Sequence, residues 1–351
     1  MTEVPTYTLN DGAELPAIGF GTYTLRGEEG IAAITSALEA GYRLLDTAVN
    51  YDNEAEVGEA LRRSSVPLDQ VKVCSKLPGR HHGYDDAIRS THESLDRLGL
   101  AKLDLHLIHW PNPSVDRYVE AWQALVDLQR DGLVASIGVS NFTDAHLKRI
   151  VDESGVTPAV NQIELHPYFP QEEMRAVDAD RGIRTESWSP LGKRQAPFTE
   201  PAVTGPAERL GVEPAQVILR WQVQRGCLPI PKSATPERQR SNLDVFGLDL
   251  GRGLRWLTVA ATVVLNTAVL AVMVLLSTPQ RNRLREVIPG AAAIAVLWHL
   301  LVKRENLVVA MFTGRRALPS DPALRFASVA RAITLFVLCV AAVWALVTLP
   351  V

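Results

Sequence analysis

The chain has 351 residues, which at about 150 residues per domain suggests two domains, although one barrel can take about 250. Residues 251–351 contain 11 Lys and Arg against 3 Asp and Glu, so the net charge of −3 divides into −11 for residues 1–250 and +8 for the rest. An acidic first part excludes a nucleic-acid-binding domain, which needs a basic face, and an apolar content of 47% excludes a disordered chain.

Cysteine usage and the N-terminal composition both favour a reducing compartment for residues 1–250. Cys74, Cys227 and Cys339 are too few and too far apart for a disulfide framework or a metal-binding motif, so we predict no metal site. Residues 1–20 contain acidic residues but no basic residue, unlike a signal peptide. We therefore expect residues 1–250 in the cytoplasm.

The first predicted element is a β-hairpin at Thr6–Leu15, where Tyr7, Leu9 and Leu15 flank an Asn-Asp-Gly turn. Short apolar runs then alternate with amphipathic helical stretches along the chain. The eight runs, each a predicted strand, cover residues 18–23, 42–46, 71–76, 103–109, 136–140, 159–165, 184–189 and 227–232. The helical stretches include residues 30–40, 84–98, 115–131, 143–153, 171–180 and 214–224.

Strands separated by helices indicate βαβ units and a parallel sheet. Eight such units within about 250 residues match a closed (β/α)8 TIM barrel better than an open doubly wound sheet. No Gly-x-Gly-x-x-Gly motif follows the first strand, so a Rossmann-type dinucleotide fold has no support. The predicted fold class is therefore α/β, with a TIM barrel and its N-terminal hairpin in residues 1–250.

Reactive side chains lie at three neighbouring strand ends, where a TIM barrel builds its active site. Asp46, Lys76 and His109 each end an apolar run, and Tyr51 lies in the loop after the first of these runs. Taken singly, each is more often structural, because a buried Tyr or His usually packs in a core and an Asp–Lys pair usually forms a salt bridge. Together they suit proton donation: an ammonium lowers the pKa of a tyrosine, a carboxylate keeps the lysine charged, and a histidine orients a carbonyl. The set predicts a general-acid site for carbonyl reduction without a metal.

The same stretches resemble the aldo-keto reductase family, and in particular its 2,5-diketo-D-gluconate reductase type. The motifs that carry the resemblance span about residues 5–250 and occur in the family's order. They are LLDTAVNYDNE (44–54), CSKLPG (74–79), LIHWP (107–111), GVSNF (138–142), NQIELHP (161–167), SWSPLG (187–192) and IPKSATPERQRSNLDVF (230–246). The resemblance implies a TIM barrel that reduces an aldehyde or ketone with hydride from NADPH. It also implies a catalytic set of Asp46, Tyr51, Lys76 and His109, with Tyr51 as the proton donor.

The resemblance further implies the residues that bind NADP and substrate. The cofactor-binding positions are Gly21, Thr22, Ser140, Asn141, Gln162, Trp188, Ser189, Leu191, Lys232, Ser233, Arg238 and Asn242. The substrate positions are Tyr23 and Trp110. Two cations and a hydroxyl at Lys232, Ser233 and Arg238 suit a 2′-phosphate, which favours NADP over NAD. Ser241 departs from the family's usual Glu or Gln, which predicts weaker adenine binding.

Residues 251–351 are predicted to form an all-α, transmembrane C-terminal region in place of the family's closing loop. A run of 22 residues without a charge follows Arg255, which is long enough to span a bilayer. The candidate membrane segments are residues 256–277, 287–302 and 332–349. A buried helical addition is the alternative interpretation. Residues 283–301 also weakly resemble the end of a YihY/BrkB-type inner-membrane protein.

The sequence therefore predicts an NADP-dependent reductase of small carbonyl compounds, anchored in the cell membrane by its tail. The lipid bilayer is the predicted partner, and nucleic acid is not. The distribution of basic residues places the barrel on the cytoplasmic side, and the whole chain would be cytoplasmic if the tail does not insert. Two alternatives stay open: a cofactor-binding redox sensor tethered to a membrane partner, and a fusion without a joint function.

Overall fold

The computed structural model describes residues 4–193 and 197–250. The chain divides into two units, Met1–Leu250 and Gly251–Val351, and the first unit is described by itself below. The predicted membrane segments 256–277, 287–302 and 332–349 lie outside the described residues. Within the described ranges, no helix combines the length and the apolar character that a membrane span needs.

The chain begins with the predicted β-hairpin. Strands β1 (Thr6–Thr8) and β2 (Glu14–Pro16) pair antiparallel, with Tyr7 opposite Leu15. The turn requires a left-handed residue, which Gly12 supplies with φ at +88°. Leu9 and Leu15 are buried in the apolar cluster that fills the barrel interior, so the hairpin packs against one end of the barrel.

Eight parallel strands follow in the order of the sequence, and each pairs with the next. They are β3 (Phe20–Gly21), β4 (Leu44–Asp46), β5 (Lys72–Leu77), β6 (Leu103–Ile108), β7 (Val134–Ser140), β8 (Val160–Glu164), β9 (Arg184–Trp188) and β10 (Leu228–Pro229). The two edges are joined by backbone hydrogen bonds from the N–H of Gly19 to Pro229 O and from that of Gly21 to Pro231 O, both 3.0 Å. A Cβ on Gly19 would lie 2.4 Å from Ile230 Cδ1, so a larger residue here would force the Ile230 side chain to move. The predicted barrel is confirmed.

Helices surround the barrel and alternate with its strands. They are α1 (Gly27–Ala40), α2 (Glu54–Arg63), α3 (Tyr84–Leu98), α4 (Tyr118–Arg130), α5 (Asp144–Ser154), α6 (Glu172–Asp180), α7 (Pro201–Leu210), α8 (Pro214–Gln224) and α9 (Pro236–Leu243). Helix α4 begins three residues later than predicted, because Asn112 and Asp116 adopt left-handed conformations with φ of 44° and 56° in the preceding loop. Helices α2, α7 and α9 lie outside the helical stretches named from the sequence.

Side chains alternate between the two faces of each strand, so one set points into the barrel and the other points towards the helices. On β4, Leu45 packs in the core between the strands and the helices, whereas Leu44 belongs to the cluster inside the barrel. The inward positions change from apolar to polar along the strand, so that Asp46 follows Leu44 on the inner face. Lys76 follows Cys74 in the same way on β5. Polar groups are thereby collected at the C-terminal ends of the strands.

Candidate active site

An open cavity of about 540 Å³ lies at the C-terminal ends of the barrel strands. Asp46, Tyr51 and His109 line it, and Lys76 is completely buried against them. Strands β4, β5 and β6 are hydrogen-bonded neighbours, so residues that end these strands or follow them meet in one place. The structure thus brings together the four side chains that the sequence predicted as catalytic.

A buried ion pair forms the floor of this cavity. Lys76 Nζ donates to Asp46 Oδ1 at 2.6 Å and to Oδ2 at 2.7 Å, and it also donates to Thr47 O at 3.0 Å. Burial alone would lower the pKa of Lys76, but the Asp46 carboxylate outweighs it, so the pKa of Lys76 is raised. Lys76 therefore remains charged inside the barrel, with its ammonium 3.4 Å from the hydroxyl of Tyr51.

The pKa of Tyr51 differs from the expectation. Lys76 lowers it, as predicted, but burial raises it by more, and Asp46 acts in the same direction as burial. The net pKa of Tyr51 is therefore above its ordinary value, and its hydroxyl keeps its proton at neutral pH. A protonated phenol beside a fixed ammonium can give up its proton only when the resulting charge is stabilised at that moment.

Hydrogen bonds from side chains to backbone carbonyl oxygens fix the loop that carries Tyr51. Arg26 donates to Tyr51 O from Nε at 3.0 Å and from Nη2 at 2.7 Å. The buried amide of Asn53 donates to Thr22 O at 2.8 Å and to Leu25 O at 2.9 Å, which ties the loop after β4 to the loop after β3. Neither Arg26 nor Asn53 was predicted as a site residue, although Asn53 lies within the NYDNE stretch.

His109 is neutral in this site. Burial, assisted by the charge of Lys76, lowers the pKa of His109 to about 3. Its ring meets that of Tyr51 edge to face, with the centroids 5.7 Å apart. Within the described part of the chain, its buried Nδ1 has no hydrogen-bond partner. A neutral imidazole carries one N–H, which suits His109 to donate a hydrogen bond to a carbonyl oxygen.

The loop after β3 contributes differently from residue to residue. Gly21 lines the cavity, whereas Thr22 is fully buried and its Oγ1 donates to Asp46 O at 3.0 Å. Thr22 therefore helps to hold the backbone of Asp46 in position. Tyr23 and Trp110 line the cavity with 62% and 47% of their surface exposed, so they form an open aromatic rim.

A chain of hydrogen bonds links the predicted nicotinamide-binding residues to one another. Trp188 Nε1 donates to Asn141 Oδ1 at 2.8 Å, and Asn141 Nδ2 donates to Ser140 Oγ at 2.9 Å. Ser140 Oγ donates to Gln162 O at 2.9 Å, and Gln162 Nε2 donates to Asp46 Oδ2 at 2.9 Å. All four residues also line the cavity, so the network joins the Asp46–Lys76 pair to a surface suited to a planar, polar ligand.

A second cavity, of about 970 Å³, adjoins the first. The two share Leu191, Lys193 and Lys232 as lining residues, and Ser189 lines the first. Ser233, Arg238, Ser241 and Asn242 line the second. The two cavities together provide an elongated groove with an aromatic residue at one end and a cationic cluster at the other. A dinucleotide phosphate fits such a groove, since Lys and Arg suit phosphate groups.

Comparison with protein families identifies this arrangement. Residues 17–197 match the model of the aldo/keto reductase family. The chain belongs to the aldo/keto reductase family. The resemblance inferred from the sequence is thereby confirmed, and so is the prediction that the protein is an oxidoreductase. The family model does not extend to the tail, and the resemblance of residues 283–301 to YihY/BrkB-type proteins is not shown by these matches.

Individual relatives agree with the family match. The chain is 58% identical over 250 residues to 2,5-diketo-D-gluconic acid reductase B of a Corynebacterium species. The matched region covers 71% of this chain and 90% of the relative. An aldo/keto reductase from Brucella melitensis has a solved structure with 43% identity and a TM-score of 0.69, covering 72% of this chain and 96% of that one. A variant of Gox0644, solved in complex with NADPH, has 43% identity and a TM-score of 0.67 and covers 70% of this chain and 89% of that one.

Lys193 is a site residue of this reductase that the sequence reasoning missed. Its ammonium lies 4.6 Å from the centre of the Trp188 ring, and it lines both cavities. It directly follows the SWSPLG stretch, so its position next to the predicted pyrophosphate loop was the available signal. A cation on the face of this ring places positive charge midway along the groove.

Proposed function

We propose that this reductase transfers hydride from NADPH to the carbonyl carbon of a small aldehyde or ketone, with Tyr51 as the proton donor. The observation that carries the proposal is the position of the Tyr51 hydroxyl, 3.4 Å from the buried Lys76 ammonium. We assign the cofactor to the groove that leads from this point to Lys232 and Arg238, which line it. The NADPH complex of the related Gox0644 supports the choice of cofactor.

Each of the four catalytic residues has a separate role in this reaction. NADPH supplies the hydride when it is bound. The neutral imidazole of His109 donates a hydrogen bond to the substrate oxygen and orients the carbonyl for hydride transfer. Tyr51 gives its hydroxyl proton to that oxygen as negative charge develops there. Lys76 stabilises the phenolate that remains, and Asp46 keeps Lys76 charged and in position.

The cofactor residues have separate proposed tasks. Trp188 provides the stacking surface for the nicotinamide, and Ser140, Asn141 and Gln162 bind its carboxamide. We assign the pyrophosphate to the loop with Ser189 and Leu191. The backbone in this loop is left-handed at Ser189, with φ at 49°, a geometry that can aim successive N–H groups at an anion.

The 2′-phosphate end of the groove is tested by cofactor preference. Arg238 is exposed and lines the second cavity, and we expect it to bind the 2′-phosphate with Lys232 and Ser233. A charge-assisted contact is worth about 1.5–3 kcal/mol. Arg238→Ala should therefore reduce the ratio of kcat/KM for NADPH to that for NADH by about tenfold or more.

Arg240 is a matched control for this measurement, because it is an exposed arginine on the same helix that pairs with Glu237. Arg240→Ala should leave the cofactor ratio unchanged. Equal use of NADPH and NADH by the unmodified protein would contradict the assignment of the phosphate site.

The substrate end of the groove is open, which suits a broad range of carbonyl compounds. Tyr23 and Trp110 form an exposed rim on this cavity. We propose small, polar aldehydes and ketones as substrates. Keto sugar acids have priority in a first panel, because a relative with 58% identity is a 2,5-diketo-D-gluconic acid reductase.

We also propose that residues 251–351 anchor the reductase in the cell membrane, with the barrel on the cytoplasmic side. The support comes from the sequence: 22 residues without a charge follow Arg255, and this part of the chain is basic. The full chain should sediment with membranes and resist extraction by high salt and alkaline carbonate. Salt screens surface charge but does not release a helix held by the hydrophobic effect. A fragment of residues 1–250 should remain in the supernatant, and a full chain that is soluble without detergent would contradict the proposal.

A further inference from the structure

Glu186 is an acidic side chain inside the barrel that the proposed reaction leaves without a role. It lies in the middle of β9, where the strand registers place Gln162 of β8 and Leu228 of β10 beside it. Its side chain is completely buried, and neither carboxylate oxygen has a hydrogen-bond partner among the described residues. An isolated buried carboxylate is costly, and such a group avoids the cost by keeping a proton.

Three titratable groups of the barrel interior act on Glu186. Asp46 comes from β4, and Lys76 and Cys74 come from β5. The neighbours on β8 and β10, Gln162 and Leu228, do not titrate. Burial is the main cause that raises the pKa of Glu186 above its usual range; Asp46 acts in the same direction, and Lys76 and the nearby amide of Gln162 oppose it. Gln162, which lies beside Glu186, donates to Asp46 Oδ2 at 2.9 Å. Glu186 therefore lies next to the Asp46–Lys76 pair and belongs to the same electrostatic unit.

The total charge of this unit affects proton transfer. With Glu186 protonated, Asp46 and Lys76 balance each other, and the unit gains one negative charge when Tyr51 becomes a phenolate. With Glu186 ionised, the unit is already negative, and the phenolate adds a second negative charge. Like charges repel strongly in the low-dielectric interior of a protein, so the second situation disfavours the phenolate.

We propose that Glu186 is a positioning residue that controls proton donation through its charge: protonated, it permits the transfer from Tyr51, and ionised, it suppresses it. The inference rests on the proposed role of Tyr51. Glu186 itself exchanges no proton with the substrate. The O–H bond of Tyr51 breaks, the O–H bond of the alcohol forms, and the hydride comes from the cofactor, so the balance of the reaction is unchanged. Glu186 thus gives the reductase an alkaline limit for carbonyl reduction.

The pH dependence of kcat/KM tests this role. The full chain is assayed with saturating NADPH and an aldehyde, and its kcat/KM should fall at alkaline pH as Glu186 ionises. Glu186→Gln keeps the shape but cannot ionise. We expect this variant to stay within about threefold of the unmodified protein at pH 6 and to shift the alkaline limb upward by about one pH unit or more. Glu186→Met, which has no amide, should shift the limb in the same way if charge is the cause.

Asp178 provides a matched control carboxyl. It is also buried, but it lies on α6 in the helix layer and accepts hydrogen bonds from Asn161 and Thr185. Burial raises the pKa of Asp178 to about 6. Asp178→Asn should leave the alkaline limb in place, because Asp178 is not among the groups that act on Glu186 or on Lys76.

Infrared spectroscopy gives a readout that does not require turnover. The protein at pH 7 should have a carboxylic acid C=O band that Glu186→Gln lacks. An active protein whose limb is unchanged in both Glu186 variants would overturn the inference, and so would a spectrum without the band. If no carbonyl compound supports oxidation of NADPH by the protein, the proposed function itself is contradicted.

Discussion

Replacing Tyr51 with phenylalanine should reduce kcat for carbonyl reduction by about 10²–10⁴-fold, the usual contribution of a positioned general acid. The substitution removes the hydroxyl 3.4 Å from Lys76 Nζ and leaves the ring in contact with His109. The proton donor acts in the transition state, so the Kd for NADPH should change by less than about threefold. Steady-state assays and fluorescence titration with NADPH measure the two effects separately.

Tyr23 is the matched control for this variant, because its ring lies 5.1 Å from that of Tyr51 and it lines the same cavity. It is largely exposed and lacks the lysine contact. Tyr23→Phe should keep most of kcat and change mainly KM. A Tyr51→Phe protein with ordinary kcat would show that another group donates the proton.

Breaking the buried ion pair from one side should destabilise the barrel strongly. Lys76→Met leaves the Asp46 carboxylate buried without its cation, and Asp46→Asn leaves the Lys76 ammonium without its anion. Removing one partner of a buried pair costs about 3–5 kcal/mol. Each single variant should therefore lower the free energy of unfolding by about this amount, as measured by urea denaturation at pH 7.

The double variant separates stability from catalysis. Asp46→Asn combined with Lys76→Met leaves no unpaired charge from this pair, so it should be less destabilised than the sum of the two single variants by about 2 kcal/mol or more. Its activity should nevertheless stay as low as that of Lys76→Met, because no ammonium remains to stabilise the Tyr51 phenolate. Additive stability losses, or an active double variant, would contradict the role given to the pair.

Residues of the site that depend on strand order could be predicted from the sequence. Asp46, Lys76 and His109 end or directly follow consecutive parallel strands, and the closure of eight such strands brings their side chains to one end of the barrel. The period of the apolar pattern and the length of the chain were sufficient for these three residues, because a TIM barrel has one end for its active site. Gln162 and Trp188 line the same cavity, but they were predicted only from the resemblance to the aldo-keto reductase family.

Properties that depend on burial in three dimensions could not be predicted in this way. The direction of the Tyr51 pKa shift depends on whether burial or the charge of Lys76 has the larger effect, and only the folded structure shows this. Thr22 was predicted as a cofactor position, and its burial and its hydrogen bond to Asp46 O appear only in the structure. Glu186 has a signal in the sequence, since an acidic residue inside a barrel strand is rarely buried without a reason. Its effect on Asp46 and Lys76 appears only when the strands are assembled.

The complete set of reactive groups favours turnover over the alternative of a redox-sensing module. A module that only binds the cofactor needs the groove to Arg238 but has no use for a phenol held beside a buried ammonium. That arrangement requires a charged lysine inside the barrel, which costs free energy of solvation. Catalysis gives a reason for this cost.

Transfer of isotope from the cofactor to the product tests the central claim most directly. The full chain is incubated with a panel of small aldehydes, ketones and keto sugar acids and with NADPH deuterated at the reactive position of the nicotinamide. Mass spectrometry then measures deuterium in the alcohol formed. The account predicts one deuterium per molecule, bound to the carbon of the former carbonyl, and the loss of this product in Tyr51→Phe. Consumption of NADPH without deuterium in an alcohol, or no consumption with any member of the panel, would contradict it.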